Sequence, residues 1–316
     1  MNRTSRLSTI VFAIVLISGA FHSSHSQQVG RRVGPQFPFL VSSARLTGMA
    51  DASIAVVDDF SGFGSNPATL GMMKKSVVDY TNQRVKKGIT FEHIGIAYKA
   101  TPDEAVAFDA EVLHYGGIDF YTKNEVRDLG FEARAGITYG RVLSEGLSAG
   151  LSLQALTSTT GTTSVWAFAT DIGFTYAPGR YIRYALSLKG LGSDYDVPGG
   201  ILLADTYSKR LAKVLSIGLA FDYPYDDKEK RLVIAFQNDK VLGEKTLLYR
   251  FGIEYTPFYA GILQPSIRGG LVVRGLDVEP RFGLGIQYSQ FGVDYGYRYS
   301  KREFQPSHVF TFSVDW

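Results

Sequence analysis

Apolar and polar residues alternate with a period of two over most of residues 75–316. Phe131, Ala133, Ala135, Ile137 and Tyr139 fall on one face of such a segment, with Glu132, Arg134, Gly136, Thr138 and Gly140 on the other. Leu247, Tyr249, Phe251, Ile253 and Tyr255 alternate in the same way with Leu248, Arg250, Gly252, Glu254 and Thr256. So do Phe291, Val293, Tyr295, Tyr297 and Tyr299 with Gly292, Asp294, Gly296 and Arg298. A helix cannot carry this period, whereas a strand puts successive side chains on opposite faces. The segments predict about fourteen strands, centred near Val78, Ile96, Phe108, Ile137, Leu151, Ile172, Leu186, Leu219, Ile234, Phe251, Leu271, Leu284, Tyr295 and Phe312.

The apolar face is continuous and rich in Tyr, Phe, Leu and Ile, which suits lipid. The polar face is mostly Gly, Ser, Thr and Ala with single charges, which suits a crowded lumen. After residue 26 no apolar run is long enough for a transmembrane helix, and a closed barrel is the remaining way to satisfy a backbone in lipid. The expected fold is all-β: a transmembrane antiparallel β-barrel with an even strand number. A soluble β-sandwich, with the apolar face turned inward, is the alternative. Connections at 101–104, 143–146, 177–180 and 289–290 read as tight periplasmic turns, and those at 116–128, 190–210 and 300–306 as longer outer loops. The stretch 257–265 is long for a periplasmic turn.

Composition agrees with a barrel. Tyr 19 and Phe 21 against Trp 2 supply interface girdles, and Gly 34 supplies places of close backbone approach. Arg3 and Arg6, the apolar stretch 7–20 and the small residues around Ser26 form a signal peptide with cleavage near Ser26–Gln27; an N-terminal anchor helix is the alternative. The formal charge of +3 loses Arg3 and Arg6 with the signal, 3 − 2 = +1, so there is no field to attract nucleic acid. With Cys 0, lipoprotein anchoring, disulfides and thiolate metal sites are excluded. Three regions follow: a signal peptide over 1–26, a non-alternating segment over 27–74 and a barrel over 75–316. The last strand carries Phe310 and Phe312 on the lipid row and ends in Trp316. That ending resembles the C-terminal signal read by the bacterial barrel-assembly machinery.

Residues 27–73 are rich in Gly, Ala, Ser and Asp. Asn66 favours a turn, and Pro67 is placed to open a short helix. Gly48, the small and apolar run 52–57, Asp58, Asp59 and then Asn66, Pro67 and Ala68 resemble the N-terminal plug of the FadL superfamily. The chain is most similar to its PorV/PorQ-type branch, which is associated with type IX secretion. The resemblance implies a fourteen-stranded outer-membrane barrel whose N-terminal segment fills the lumen. The acidic pair Asp58 and Asp59 is expected to meet lumen arginines among Arg134, Arg250, Arg268 and Arg298. A flexible periplasmic tail is the alternative for this segment.

Glu132, Arg134, Arg250, Glu254, Arg268, Asp294 and Arg298, with Asp109, Asp171 and Asp222, are placed on the lumen face. Paired, they would fill the barrel and hold the plug; unpaired, they would select solutes. No catalytic residue, metal site or cofactor is expected. The G-x-S-x-G match at 146–150 runs into a period-two strand instead of a helix, and His93, His114 and His308 lack ligand spacing and are assigned to girdles or loops. The chain therefore reads as an outer-membrane barrel that is not an enzyme. Its partners are outer-membrane lipid, the assembly machinery and secretion-system or exported surface proteins, which it would bind or help to export and attach. A FadL-like passive transporter taking a small hydrophobic ligand is the alternative, disfavoured by a lumen face of mainly Gly, Ser and charge.

Overall fold

A computed structural model describes residues 43–56, 60–86, 89–120, 125–128, 130–160, 163–193, 195–197, 207–209, 211–225, 230–243, 247–258, 262–299 and 306–316. The signal peptide, Asp58 and Asp59 lie outside them. The first described element is the short helix α1 (Ala44–Gly48), followed by 3₁₀ turns at Phe60–Gly62 and Pro67–Met72. Eighteen strands follow. They are β1 (Val77–Lys86), β2 (Ile89–Thr101), β3 (Glu104–His114), β4 (Gly117–Phe120), β5 (Glu125–Asp128) and β6 (Phe131–Ser144). Next come β7 (Leu147–Thr160), β8 (Thr163–Tyr176), β9 (Ile182–Gly192), β10 (Tyr195–Val197), β11 (Tyr207–Lys209) and β12 (Val214–Tyr225). The last are β13 (Lys230–Val241), β14 (Leu247–Thr256), β15 (Leu263–Arg274), β16 (Asp277–Tyr288), β17 (Phe291–Arg298) and β18 (Ser307–Asp315).

Fourteen strands form one closed antiparallel barrel, and β4–β5 and β10–β11 make two small separate hairpins. Each of the fourteen expected strand centres falls in a barrel strand. Closure is between β1 and β18, from Val77 opposite Asp315 to Arg84 opposite His308. One further step of the ladder joins Ser76 and Trp316, whose backbones exchange hydrogen bonds of 3.0 and 3.1 Å. A closed sheet has no free edge, so every strand finds partners on both sides.

The alternation resolves as the sequence predicts. Ile94, Phe108, Leu153, Phe251, Leu284 and Phe312 point outward and are exposed, whereas Thr81, Glu132, Thr138, Ser152, Glu254 and Arg268 point inward and are buried. Phe310 and Trp316 lie on the exposed outer row with Phe312. One end of the barrel holds Val77, Asp315, the strand ends Tyr225, Lys230, Thr256 and Leu263, and the connections at 101–104, 144–147, 177–181 and 288–291. The connection after β14 is shorter than the sequence suggests, because Leu263 and Pro265 already belong to β15. The opposite, far end carries the hairpins β4–β5 and β10–β11, the end of β17 at Arg298 and the start of β18 at Ser307.

Inside the barrel lies the segment 43–56 and 60–73. It needs close approach, and inward-facing glycines of the wall supply it. A Cβ on Gly283 would lie 2.8 Å from the Gly48 Cα, and one on Gly270 would lie 2.7 Å from the Ala50 Cβ. Cβ atoms on Gly150 and Gly173 would overlap Pro67 and Asn66. The Asn66 side chain caps the second 3₁₀ turn by accepting from the Ala68 N–H, and Pro67 stands at its start, as the sequence predicts. Asn66 Nδ2 also donates to the Ile54 carbonyl at 2.9 Å and to Thr175 Oγ1 on β8 at 2.9 Å.

Candidate functional site

The inner face of the barrel is banded along its axis. At the far end it is apolar. Phe91, Leu113, Leu156, Ala167, Ala169 and Leu211 form one buried cluster, with Ile89, Tyr115 and Val165 packed on it. Ala212, Val214 and Val241 form a second, and Leu248 and Val272 a third against Ala50. This corrects the expectation of a lumen lined by Gly, Ser and charge. The strands that alternate cleanly in mid-span become apolar on both faces near their far ends. Adjacent pairs such as Val112–Leu113, Leu247–Leu248 and Val272–Val273 carry that signal in the sequence.

Below the apolar ring lies a belt of paired charges. Arg134 donates to Asp109 at 2.7 Å and to Glu111 at 2.6 Å. Arg183 and Arg231 both donate to Asp222. Arg250 donates to Asp239 at 2.6 Å and to Asp51 of the inner segment at 2.9 Å. Glu254 accepts two 2.7 Å hydrogen bonds from Arg45 of the inner segment and a further one from Arg268, which also reaches Asp294. Arg281 lies opposite Arg298 in the β16–β17 ladder and donates to Glu279 and to the Tyr299 carbonyl. Glu132 is buried on the same inner face. Buried charges need such partners, because desolvation otherwise outweighs any gain.

Of the arginines expected to meet an acidic inner segment, Arg250 does so, through Asp51. Arg134 and Arg268 pair with carboxylates of the wall. The strongest link to the inner segment has the reverse sign, Arg45 to Glu254. Neither Arg45 nor Asp51 stands out in the sequence. Asp51 is delivered by backbone that Ala50 and Asp51 hold at φ 55° and 61° after α1, a local conformation that composition does not reveal.

The histidines separate. His308 is outside, where its Nδ1 lies 2.9 Å from the Tyr295 hydroxyl, and His114 ends β3, its Nδ1 accepting from the Gly116 N–H. His93 is neither in a girdle nor in a loop. It is buried in the lumen, and one of its ring nitrogens comes within 4.8 Å of a carboxylate oxygen of each of Asp109 and Glu111. Asp109 and Glu111 share one face of β3, and His93 joins them from the neighbouring β2, a convergence that spacing along the chain does not show. Arg134 already occupies both carboxylates, and an ion there would have to displace a buried guanidinium. Ser148 of the G-x-S-x-G match starts β7, where its hydroxyl lies 2.7 Å from the Ala68 carbonyl and 2.9 Å from the Arg141 carbonyl.

Between the apolar ring and the inner segment is a cavity of about 90 Å³, with Leu156, Ala169, Leu211 and Val214 on its wall and Leu46, Gly64 and Ser65 beneath. On the other side of the segment a wider space of about 410 Å³ is lined by Arg45, Arg231, Glu254, Arg268, Asp294 and Thr311. The inner segment thus separates a small, partly apolar chamber from a polar one.

No helix among the described residues is long and apolar enough to cross a membrane; the strands carry the lipid-facing surface. A closed antiparallel barrel of even strand number, apolar outside and charged within, defines an outer-membrane β-barrel protein, and this chain is one. No protein-family model matches it, and no curated protein matches it in sequence. In fold it is similar to the Pseudomonas putida toluene transporter TodX, at 11% identity and a TM-score of 0.57, covering 86% of this chain and 98% of that one. It is also similar to the CymD monoaromatic hydrocarbon channel, at 10% identity and a TM-score of 0.56, covering 87% and 97% of the two chains. A Pseudomonas aeruginosa FadL homologue matches at 10% identity and a TM-score of 0.54, over 88% and 98%. At these identities the likeness is one of fold.

Proposed function

We propose that the protein is a passive transporter of small hydrophobic molecules across the outer membrane, a FadL-like barrel held closed at rest by its inner segment. The observation that carries this reading is the inward-facing apolar ring of Phe91, Leu113, Leu156 and Leu211 at the far end. A water-filled pore has no use for apolar side chains on its inner wall, whereas a greasy solute gains from each one it covers. Two proteins of similar fold, a toluene transporter and a monoaromatic hydrocarbon channel, support it. The solute would settle on the ring, and its passage would require the inner segment to shift from its glycine-lined seat. No catalytic step is part of this role.

The PorV/PorQ-like reading, in which the far-end hairpins hold exported proteins, rests on the resemblance of residues 44–71 and on the hairpins β4–β5 and β10–β11. Nothing in the lumen favours it. The test is uptake of radiolabelled toluene by cells expressing the protein in a strain lacking other hydrocarbon barrels. Uptake above the empty strain is expected, with at least a several-fold loss in Phe91→Asp. Uptake equal to the empty strain, with folded protein in the membrane, would reject the transporter reading.

A further inference from the structure

Three cationic side chains line the smaller chamber, and two are committed: Arg134 to Asp109 and Glu111, Arg250 to Asp51 and Asp239. The third, Lys189 on β9, donates to the Gly64 carbonyl at 3.3 Å and makes no direct ion pair among the described residues. Beside it on β8, Asp171 lines the same space and is 5% exposed. Its carboxylate accepts from Gln154 Nε2 and from the Gly190 N–H, both at 2.7 Å and both neutral donors, and among the described residues no cation touches it directly, Lys189 and Arg134 acting on it only through space.

The two side chains sit where the β8–β9 ladder loses register between Thr170 and Ile172, with Gly190 at φ 73°. A bulge of this kind re-aims side chains that a regular ladder would have set in rows. The result is an ammonium and a carboxylate on one chamber wall without direct contact. A bare hydrocarbon would leave both without a new partner. A carboxylate ligand would face Asp171, Glu111 and Asp239 as well as Lys189. A neutral hydroxyl satisfies both: its oxygen accepts from the Lys189 ammonium, and its O–H donates to Asp171. Hydrogen bonds to charged partners are the stronger ones.

We propose that the chamber binds small apolar molecules bearing one hydroxyl group, such as phenols or short alcohols. Lys189 and Asp171 hold the hydroxyl, and Leu156, Ala169, Leu211 and Val214 hold the apolar body. This rests on the transporter reading and narrows it. Size is limited as well. An apolar cavity of about 150 Å³ takes up benzene; a space of about 90 Å³ is smaller, so it admits a short chain as it stands, a single ring only once the inner segment gives way, and not a long chain.

The test is calorimetric titration of the full-length protein in detergent with phenol, toluene and benzoate. Phenol should bind about tenfold tighter than toluene and tighter than benzoate. Lys189→Met and Asp171→Asn should each bring the phenol-to-toluene ratio close to one. Equal binding of phenol and toluene by the unaltered protein would overturn the hydroxyl site and leave the transporter standing. Tighter benzoate binding would overturn it in favour of an anion site. Binding of none of the three would count against both readings. Should a variant fail to fold, cyclohexanol against cyclohexane on the unaltered protein gives the same comparison, and equal affinities there overturn the proposal.

Discussion

Arg45 and Asp51 carry opposite charges on the inner segment, and each meets its counter-ion on the barrel wall. Arg45 grips both oxygens of Glu254, a bidentate geometry that fixes orientation as well as distance. Both residues are buried, so the link is not screened by water. Removing one partner of a buried pair costs about 3–5 kcal/mol when the other charge is orphaned. Glu254 would keep Arg268, so Arg45→Met should destabilise by less, about 1–3 kcal/mol. The expected result is a lower denaturation midpoint in detergent together with measurable ion conductance in planar bilayers. A variant as stable and as closed as the parent would show that Arg45 does not hold the segment.

At the scale of elements, the barrel strands were legible because each repeats a two-residue period against two different solvents, lipid outside and packed lumen inside. The inner segment was legible in part. Its small residues and its Asn66-Pro67 turn are seen in place, but its seat depends on glycines scattered over strands far apart in the chain. Gly150, Gly173, Gly270 and Gly283 look alike in the sequence as unremarkable lumen positions; which of them faces backbone is settled by register. Trp316 stands on the outer row and exchanges backbone hydrogen bonds with Ser76 across the barrel seam. Deleting Trp316 should therefore lower the yield of heat-modifiable, folded barrel in the outer membrane, read on unheated gels. An unchanged yield would mean that neither the seam nor the terminal aromatic limits assembly.

The whole molecule has a polarity along its axis. Both termini of the barrel lie at the end with mostly short turns, and the apolar ring, the smaller chamber and the two hairpins lie toward the other. In bacterial barrels the short turns are periplasmic. The chain lacks cysteine, so single labels are clean: Leu276→Cys, in the fully exposed turn between β15 and β16, should react with an impermeant thiol reagent on intact cells. Glu145→Cys, in the turn between β6 and β7, should react after the outer membrane is permeabilised. The opposite pattern would place the apolar ring and the two hairpins on the periplasmic side.

The sequence alone determined the fold class, the strand count, the strand centres and which face of each strand meets lipid, because alternation is a local property that one strand displays without its neighbours. It also marked part of the charge in the lumen, though not Glu111, Arg183, Arg231, Asp239 or Arg281. Only the tertiary structure decided which of those charges pair, and that the inner segment is held through Arg45 as well as an acidic residue. The same is true of the lumen's apolar far end and of the placement of Lys189 and Asp171 on one chamber wall. Those relations run across strands and through the barrel, where distance in space is set by register, closure and a bulge, and distance along the chain carries no trace of them.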